Sequence, residues 1–329
     1  DAVMYLGIGV SGFVAASMLQ AGHLSLFAMI YFVFIATEFF TPIREAGYGM
    51  HLVMMNTKMA DRIFGFLDSI EKEAKEERQE LPPFSELTVN GLDFAFADRK
   101  LFENLSFKMK RGQILAIAGE SGRGKTTLAK LLLGKRQADR GSIFLGEKEI
   151  ESLSKSTIYQ EVMYVSANSV LLNASILENL QLAVNWSRVE LEDWLAEKGV
   201  LAFVRDLPQG LDTLVGENGS QLSPGQRQQI ICVRAILAKR SLYLFDEVTS
   251  SVDKDNEVAI YDLLNLVAQD ALVIEITHKM KQVAKASQVL FIGKEKTVLG
   301  TPTEVYEQSE EYRQLANTQQ ELEELTYGN

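Results

Sequence analysis

Charge is missing from the start of this 329-residue chain: no Asp, Glu, Lys or Arg occurs from Ala2 to Thr37. As one helix that stretch would be about 54 Å long, whereas the hydrocarbon core of a bilayer is about 30 Å thick. The interruption "QAGH" at 20–23 therefore predicts two membrane-spanning helices, about Ala2–Leu19 and Leu24–Phe40. A secretory signal peptide is shorter and starts with a basic region, which this sequence lacks. A buried helical hairpin of a soluble protein is the remaining alternative.

Cysteine and histidine are also scarce. Cys232 is the only cysteine, which excludes an internal disulfide framework and fits a reducing compartment. It lies in the apolar run "QIICVRAIL", so we expect it to pack in a core rather than to react. His23 and His51 are isolated histidines and only weak candidates for metal or haem ligands. The net charge of −11 argues against nucleic acid as a partner, because phosphate backbones attract basic surfaces.

After Phe40 the sequence turns amphipathic, with apolar residues at helical spacing: Leu52, Met55, Met59, Ile63 and Phe66. The second span is therefore predicted to continue out of the bilayer as a long helix. The charge-dense run "EKEAKEERQELPP" at 71–83 predicts a linker. We expect residues 1–70 to be the C-terminal part of a longer membrane domain, and residues 84–329 to be a separate domain.

Residues 113–133, "QILAIAGESGRGKTTLAKLLL", combine an apolar strand, a glycine-rich turn and a helix, and contain a complete G-x-x-x-x-G-K-[ST] motif. In this motif backbone N–H groups bind phosphate, Lys125 reaches the β- and γ-phosphates, and the Thr126 hydroxyl binds Mg²⁺. The sequence therefore predicts a nucleotide site formed by Gly119, Ser121, Gly122, Gly124, Lys125, Thr126 and Thr127.

Two further strands end in residues suited to phosphate chemistry. The strand "SLYLFDE" at 241–247 ends in two carboxylates. Asp246 is expected to hold Mg²⁺ through a bound water, and Glu247 to polarise the attacking water. Two exposed acids at a strand end are the alternative. The strand "LVIEITH" ends at His278, where the side chain could contact a γ-phosphate.

The stretch "LSPGQRQQI" at 222–230 predicts the start of a helix, with Ser223 as its N-cap and Pro224 in its first turn. A helix N-terminus of this kind favours an anion. The phosphate loop lies about a hundred residues earlier in the chain, so the two anion-binding stretches could serve the same ligand or two different ones.

The order of the phosphate loop, "LSPGQ", "LYLFDE", "SSVD" at 250–253 and His278 resembles the ATP-binding-cassette ATPases. The apolar N-terminal part resembles the exporter branch of that family, whose members join a membrane domain to a nucleotide-binding domain. The resemblance implies an α-helical transmembrane segment, then an α/β P-loop NTPase domain with an antiparallel β subdomain and a helical signature subdomain. It implies a multi-pass protein of the plasma membrane with a cytoplasmic nucleotide-binding domain.

The resemblance also implies the reaction and its partners. ATP and Mg²⁺ would be the cofactors, with Glu247 and His278 as catalytic residues and hydrolysis coupled to export of a small molecule. Membrane lipid would surround the spans. Two nucleotide-binding domains of this family hold two ATP molecules head to tail. Ser223, Gly225 and Gln226 would therefore bind the ATP of a second half-transporter, in a homodimer or a heterodimer.

Other positions follow from the same resemblance. Phe96, in "DFAFADR", matches the aromatic residue that stacks on adenine, although a core residue of a strand is the alternative. The segment "TLVGENG" at 213–219 matches the part of exporters that touches the membrane domain, and Asp253 closes the loop that signals between the ATP sites.

Two positions depart from the family pattern. Pro224 replaces the first glycine of the signature and removes one N–H donor, which predicts a mild weakening. Ala167 stands where the family has a glutamine that bridges Mg²⁺ and the membrane domain. Alanine cannot coordinate a metal, and Asn168 is the alternative ligand. A half-transporter that binds ATP but hardly hydrolyses it is therefore one alternative function, against which Glu247 argues.

The substrate is predicted from a narrower resemblance. "EFFTPIREAGYGMH" at 38–51 is similar to one half of the heterodimeric exporters that support cytochrome bd assembly and move thiols such as cysteine and glutathione. A multidrug, lipid or peptide exporter is the alternative. An ATPase whose ATP-driven dimerisation serves regulation rather than transport is a rival from another functional class.

Overall fold

The computed structural model describes residues 2–75, 80–96, 99–294 and 296–327. They fall into two compact units, Asp1–Glu77 and Arg78–Asn329. Each unit has its own architecture.

The N-terminal unit consists of two helices, α1 (Ala2–Gln20) and α2 (Leu26–Lys75). The turn between them falls in the predicted "QAGH" interruption, where Gly22 adopts φ +78°. Ser25 then starts α2 by accepting a hydrogen bond from the N–H of Ala28 at 3.2 Å. The predicted continuation of the second helix is confirmed, because α2 runs for 50 residues, about 75 Å at 1.5 Å per residue.

Large apolar side chains of this unit point outward. Phe13, Phe27 and Phe34 are 76%, 81% and 69% exposed. Within the described residues one helical stretch, Leu26–Leu67, is long and apolar enough to cross a membrane by length and composition, while Met4–Gln20 is a shorter apolar helix. Of the two predicted spans, α2 therefore meets this criterion, while the part of α1 to which it was applied, Met4–Gln20, is shorter. Exposed apolar surface of this extent calls for lipid or protein to cover it.

The C-terminal unit contains two sheets. The antiparallel sheet has the order β2-β1-β4-β5, and the larger sheet has the order β10-β9-β3-β8-β7-β6, parallel except for β10. The described strands are β1 (Glu86–Phe96), β2 (Arg99–Lys110), β3 (Ile114–Ala118), β4 (Arg140–Leu145), β5 (Lys148–Glu149), β6 (Val162–Ser166), β7 (Leu242–Asp246), β8 (Leu272–Ile276), β9 (Gln288–Ile292) and β10 (Thr297–Gly300).

Nine α-helices of the described residues surround the sheets of this unit: α3 (Lys125–Leu132), α4 (Lys155–Glu161), α5 (Ile176–Gln181), α6 (Arg188–Lys198), α7 (Pro224–Leu237), α8 (Lys254–Ala268), α9 (Met280–Val283), α10 (Pro302–Gln308) and α11 (Glu310–Tyr327). Short 3₁₀ turns occur at Ile150–Ser152, Ala202–Asp206, Gly210–Asp212 and Glu217–Gly219. The prediction of an α/β domain with an additional antiparallel sheet is confirmed.

The central strands β3, β7 and β8 are almost wholly apolar because both faces of the parallel sheet are covered. Residues Leu115 and Ile117 of β3 pack with the antiparallel sheet and α3. Ala116 and Ala118 face the other way, into a core that includes α7 and α8. Parallel strands of such a sheet all end at one edge, where ligands of open α/β folds bind. That edge receives the phosphate loop after β3, Glu247 after β7 and His278 after β8.

Candidate functional site

The loop after β3 has the geometry of an anion site. Gly119 adopts φ +145°, and a Cβ there would lie 2.4 Å from the carbonyl oxygen of Ile292, so only glycine fits. Within the described part of the chain, no acceptor pairs with the backbone N–H groups of residues 120–124, which include Ser121, Gly122 and Gly124. α3 begins directly afterwards at Lys125. Unpaired donors at a helix N-terminus favour a phosphate group.

The ammonium of Lys125 folds back over this loop. It donates hydrogen bonds to the carbonyl oxygens of Gly119 at 2.7 Å and Glu120 at 2.9 Å. Burial lowers the pKa of Lys125, and the carboxylates of Glu247 and Asp246 oppose that shift. The lysine is therefore a buried cation next to unpaired N–H donors, an arrangement that a bound anion would stabilise.

The carboxylate of Asp246, at the end of β7, lies next to the hydroxyl groups of Tyr164 and Thr126. The hydroxyl of Tyr164, on β6, donates a hydrogen bond to its Oδ2 at 2.7 Å. Burial raises the pKa of Asp246, while hydrogen bonds from Tyr164 and Thr126 oppose the shift. A carboxylate and a threonine hydroxyl brought together are the hard oxygen donors that Mg²⁺ prefers, so these residues fit that ion. Thr127 follows in the first turn of α3.

Glu247 follows Asp246 in an unusual backbone conformation. Its φ is +54°, a left-handed geometry that costs a residue with a side chain roughly 1–2 kcal/mol. Its N–H donates to the carbonyl of Ile276 at 2.9 Å, which fixes the turn against β8. One carboxylate oxygen lies 3.9 Å from Nδ1 of His278, and both side chains are about half exposed. The structure thus brings the two predicted catalytic residues together at the edge of the sheet.

Ala167, for which the sequence resemblance implies a glutamine, contacts the site through its backbone. The N–H of Ala167 donates to the carbonyl of Asp246 at 3.1 Å. Asn168, the alternative ligand, is exposed in the turn that follows. Tyr164 is the side chain of this segment that reaches Asp246, and sequence reasoning missed it. The strand pairing of β6 with β7, once known, would have identified Tyr164 as a neighbour of the carboxylate.

The stretch "LSPGQRQQI" at 222–230, called the signature stretch from here on, forms a capped helix start, as predicted. Ser223 and Gln226 exchange two hydrogen bonds, from Gln226 N–H to Ser223 Oγ at 3.1 Å and from Ser223 N–H to Gln226 Oε1 at 3.0 Å. Pro224 is the first residue of α7, where its missing N–H costs no helical hydrogen bond. Ser223 and Pro224 are exposed, so the end of the helix is open to a ligand.

Gly225 is required by packing. A Cβ at this position would lie 2.3 Å from Cγ of the Asn256 side chain. Asn256 cannot move away, because its amide donates to Oδ2 of Asp253 at 2.7 Å and accepts from Gln229 at 2.6 Å. The loop that Asp253 closes is therefore packed directly against the signature helix of the same chain.

Phe96 lies at the end of β1 and is 57% exposed. The alternative that it is a core residue of the strand is therefore wrong. The guanidinium of Arg136 lies 5.2 Å from the centre of its ring. An exposed ring fits the predicted stacking on adenine.

The segment 213–219 pairs with the chain that follows β6. The N–H of Ile176 donates to the carbonyl of Thr213 at 3.0 Å, and the N–H of Val215 donates to the carbonyl of Ala174 at 3.0 Å. This pairing holds the segment beside α5 and within reach of the loop that starts at Ala167.

Glu275 is a buried acid in the middle of β8. Both of its carboxylate oxygens lack a hydrogen-bond partner among the described residues. Burial raises its pKa to about 8, and the charge of Glu257 adds to the effect. Sequence reasoning used the strand "LVIEITH" only for His278 at its end, although a single acid among apolar residues was the signal for such a group. Cys232, as expected, is buried in the core, and burial raises its pKa to about 12.

Comparison with known proteins adds an independent line of evidence. Residues 102–250 match the sequence profile of the family described as "ABC transporter". An ABC transporter ATP-binding protein of Haemophilus influenzae is 28% identical, over 99% of this chain and 59% of that protein. An ATP-dependent lipid A-core flippase of Desulfotalea psychrophila is 30% identical, over 85% of this chain and 50% of the flippase.

A solved structure described as a bacterial Atm1-family ABC exporter with ATP bound is similar with a TM-score of 0.68 and 24% identity. The match covers 94% of this chain and 58% of that one. At this identity the likeness shows the fold alone. The chain spans between 50% and 59% of the length of the two sequence relatives named above.

Proposed function

We propose that this chain is the ATP-hydrolysing part of an ABC exporter, because residues 102–250 match the family described as "ABC transporter". The observation that carries the proposal is the grouping of Lys125, Asp246, Glu247 and His278 around one loop of unpaired N–H donors. The exposed apolar helix α2 supports a membrane location, with the ATPase domain on the cytoplasmic side.

In this proposal the phosphate loop binds the β- and γ-phosphates of ATP. The N–H groups of residues 120–124 donate hydrogen bonds to phosphate oxygens. The ammonium of Lys125 leaves the carbonyl oxygens of Gly119 and Glu120 and donates to phosphate oxygens instead. Thr126 and Asp246 would hold Mg²⁺, which would neutralise charge on the phosphates. Phe96 stacks on the adenine ring.

Glu247 and His278 act on the other side of the γ-phosphate. The Glu247 carboxylate accepts a hydrogen bond from the attacking water and orients it in line with the bond that breaks. His278 donates to a γ-phosphate oxygen and, at 3.9 Å from Glu247, keeps the carboxylate in place. Both roles depend on position more than on acid strength.

The open end of α7 is proposed to complete the ATP site of a second copy or a related half-transporter. Ser223, Gly225 and Gln226 would face the γ-phosphate held by the partner's phosphate loop. Binding of two ATP molecules would close the pair and hydrolysis would reopen it, which is how the reaction could drive transport.

The substitution Glu247→Gln tests the proposal in the complete transporter. The amide keeps the shape of the side chain and loses the charge that orients water, so turnover should fall about 10²-fold or more while ATP still binds. Glu147→Gln, at an exposed acid after β4, is the matched control and should leave turnover unchanged. Hydrolysis at the parental rate in Glu247→Gln would remove Glu247 from the mechanism.

The transported substrate has two candidate classes. Similarity to lipid A-core flippases supports a lipid, whereas the narrower resemblance of residues 38–51 supports a thiol such as cysteine or glutathione. Purified transporter in lipid vesicles separates them. A lipid exporter should be stimulated in ATP hydrolysis by lipid A-core added to the bilayer, and a thiol exporter should accumulate labelled glutathione or cysteine inside inverted vesicles.

A further inference from the structure

A side chain of the C-terminal helix α11 forms hydrogen bonds with the backbone on both sides of Lys279. The side-chain amide of Gln319 donates from Nε2 to the carbonyl oxygen of His278 at 2.6 Å. Its Oε1 accepts a hydrogen bond from the N–H of Met280 at 2.9 Å. One side chain thus pairs with the main chain before and after Lys279, as a neighbouring strand would.

These two backbone groups have few other ways to be satisfied. Met280 is the first residue of α9, and the residue before it, Lys279, provides no side-chain cap. The N–H of Met280 is therefore one of the donors that a helix start leaves unpaired. Gln319 supplies the missing acceptor and, with the same amide, the donor for the carbonyl of His278.

The position of the Gln319 amide depends on packing two turns earlier in α11. Tyr312 is buried, and its ring lies edge-on against Phe291 of β9 with 5.3 Å between the ring centres. Residues seven apart lie on the same face of a helix, so the contact of Tyr312 with the sheet directs Gln319 toward the His278 segment. The side chain of Lys279 is paired with Glu257 of α8.

We propose that Gln319 is a positioning residue for His278, through which α11 sets the distance between His278 and Glu247. The proposal rests on the function proposed above and deepens it. Any change that lifts α11 from the sheet would release the carbonyl of His278 and the N–H of Met280 together, and the His278 side chain would leave the γ-phosphate position without any change in the phosphate loop.

The two hydrogen bonds of Gln319, to the carbonyl of His278 and from the N–H of Met280, are called the clamp. The first test measures whether the clamp forms in the protein without nucleotide. Hydrogen exchange of the Met280 amide is followed in the full chain, in Gln319→Ala and in the control Thr318→Ala, which alters an exposed neighbour on the same helix. Loss of one hydrogen bond should speed exchange of Met280 about fivefold in Gln319→Ala. Thr318→Ala should exchange like the parent.

The second test measures the reaction in the complete transporter. Gln319→Ala should lower kcat several-fold while KM for ATP stays nearly constant, because the phosphate loop is intact. Gln319→Glu keeps an acceptor for Met280 but places a carboxylate oxygen against the carbonyl of His278. It should therefore keep Met280 protected and still lower kcat.

Several outcomes would overturn the proposal. Equal Met280 exchange in Gln319→Ala and the parent would mean that the clamp does not form in solution. Faster exchange with an unchanged kcat would make the clamp structural only, and an equal loss of kcat in Thr318→Ala would mean general damage to α11. A parent that does not hydrolyse ATP would instead refute the proposed function, and the exchange result would still report on the clamp separately.

Discussion

The hydroxyl of Tyr164 donates a hydrogen bond to Oδ2 of Asp246 across 2.7 Å, between neighbouring strands of the parallel sheet. Tyr164 is the side chain that reaches this carboxylate from the segment for which the sequence resemblance implies a metal-bridging glutamine. Its hydrogen bond counteracts the rise in the pKa of Asp246 that burial causes. Tyr164 therefore favours the ionised form of Asp246 and fixes the orientation of the carboxylate.

Tyr164→Phe should weaken the dependence of ATP binding on Mg²⁺. The change removes a hydrogen bond to a charged group, which corresponds to about a tenfold loss of Mg²⁺ affinity or more. The pKa of Asp246 should also rise, so hydrolysis should fail at a higher pH than in the parent as the solution is acidified. Calorimetric titration with and without Mg²⁺ measures the first effect. Tyr159→Phe, at an exposed tyrosine, is the control, and equal Mg²⁺ dependence in all three proteins would contradict the role.

Lys125→Ala should lower ATP affinity about tenfold or more, because hydrogen bonds from a charged group to phosphate are lost. The melting temperature without nucleotide should barely move, since removing a buried cation whose pKa burial lowers offsets the lost hydrogen bonds to two loop carbonyls. Lys130→Ala, at an exposed lysine of the same helix, should bind ATP like the parent. Unchanged affinity in Lys125→Ala would remove the phosphate-loop assignment.

Glu275→Gln should remove a pH dependence of stability. Burial raises the pKa of Glu275 from 4.5 to about 8 in the folded protein, so unfolding releases a proton between those pH values. The free energy of unfolding therefore falls as pH rises from 4.5 to about 8, by about 1.4 kcal/mol per pH unit, and the contribution is constant outside that window.

The measurement for Glu275 is the melting temperature across the same pH range. Glu275→Gln cannot ionise, so its melting temperature should fall less steeply with pH than that of the parent. Glu147→Gln changes an exposed acid and should keep the parental slope. Identical slopes in the parent and Glu275→Gln would mean that Glu275 titrates near its ordinary value.

Ser223→Arg should silence the ATP site of the partner while this chain's own ATP affinity is kept. The arginine removes the N-cap of α7, a loss of about 1 kcal/mol, and fills the space that a phosphate would occupy. Ser223→Ala loses the same cap without the bulk and separates the two effects. In a dimer with one substituted chain, photolabelling with azido-ATP should disappear from the partner's site only. Loss of labelling on the substituted chain alone would place the signature at its own nucleotide.

Much of the fold follows from local sequence. A few neighbouring residues are enough to predict the helix start at Ser223 from its cap and the strand before Gly119 from its apolar run. The long helix after Phe40 is predicted from the helical spacing of its apolar residues. Their existence could therefore be predicted without knowing the tertiary structure. The apolar stretch 2–37 forms two helices in the predicted places, and among the described residues Leu26–Leu67 has the length and composition of a membrane span.

The contacts around the site could not be predicted in the same way. Tyr164 meets Asp246 across 82 residues of sequence, and Gln319 meets His278 across 41. Neither pair leaves a local pattern, because a hydrogen bond between distant segments depends on strand order and on how a terminal helix packs. Glu275 did leave a signal, but its burial depends on α8 covering that face of the sheet.

The left-handed backbone conformation at Glu247 disfavours glutamate for folding, whereas the proposed reaction needs its carboxylate. Glycine or asparagine adopts that conformation more readily than glutamate, so replacing Glu247 with glycine relieves strain and discards the carboxylate at the same time. Variants selected in the laboratory for heat resistance alone should drift away from glutamate at 247, whereas variants selected for growth that depends on ATP turnover should keep it. On the proposed role of Glu247, glutamate at this position would serve ATP turnover at a cost to folding stability.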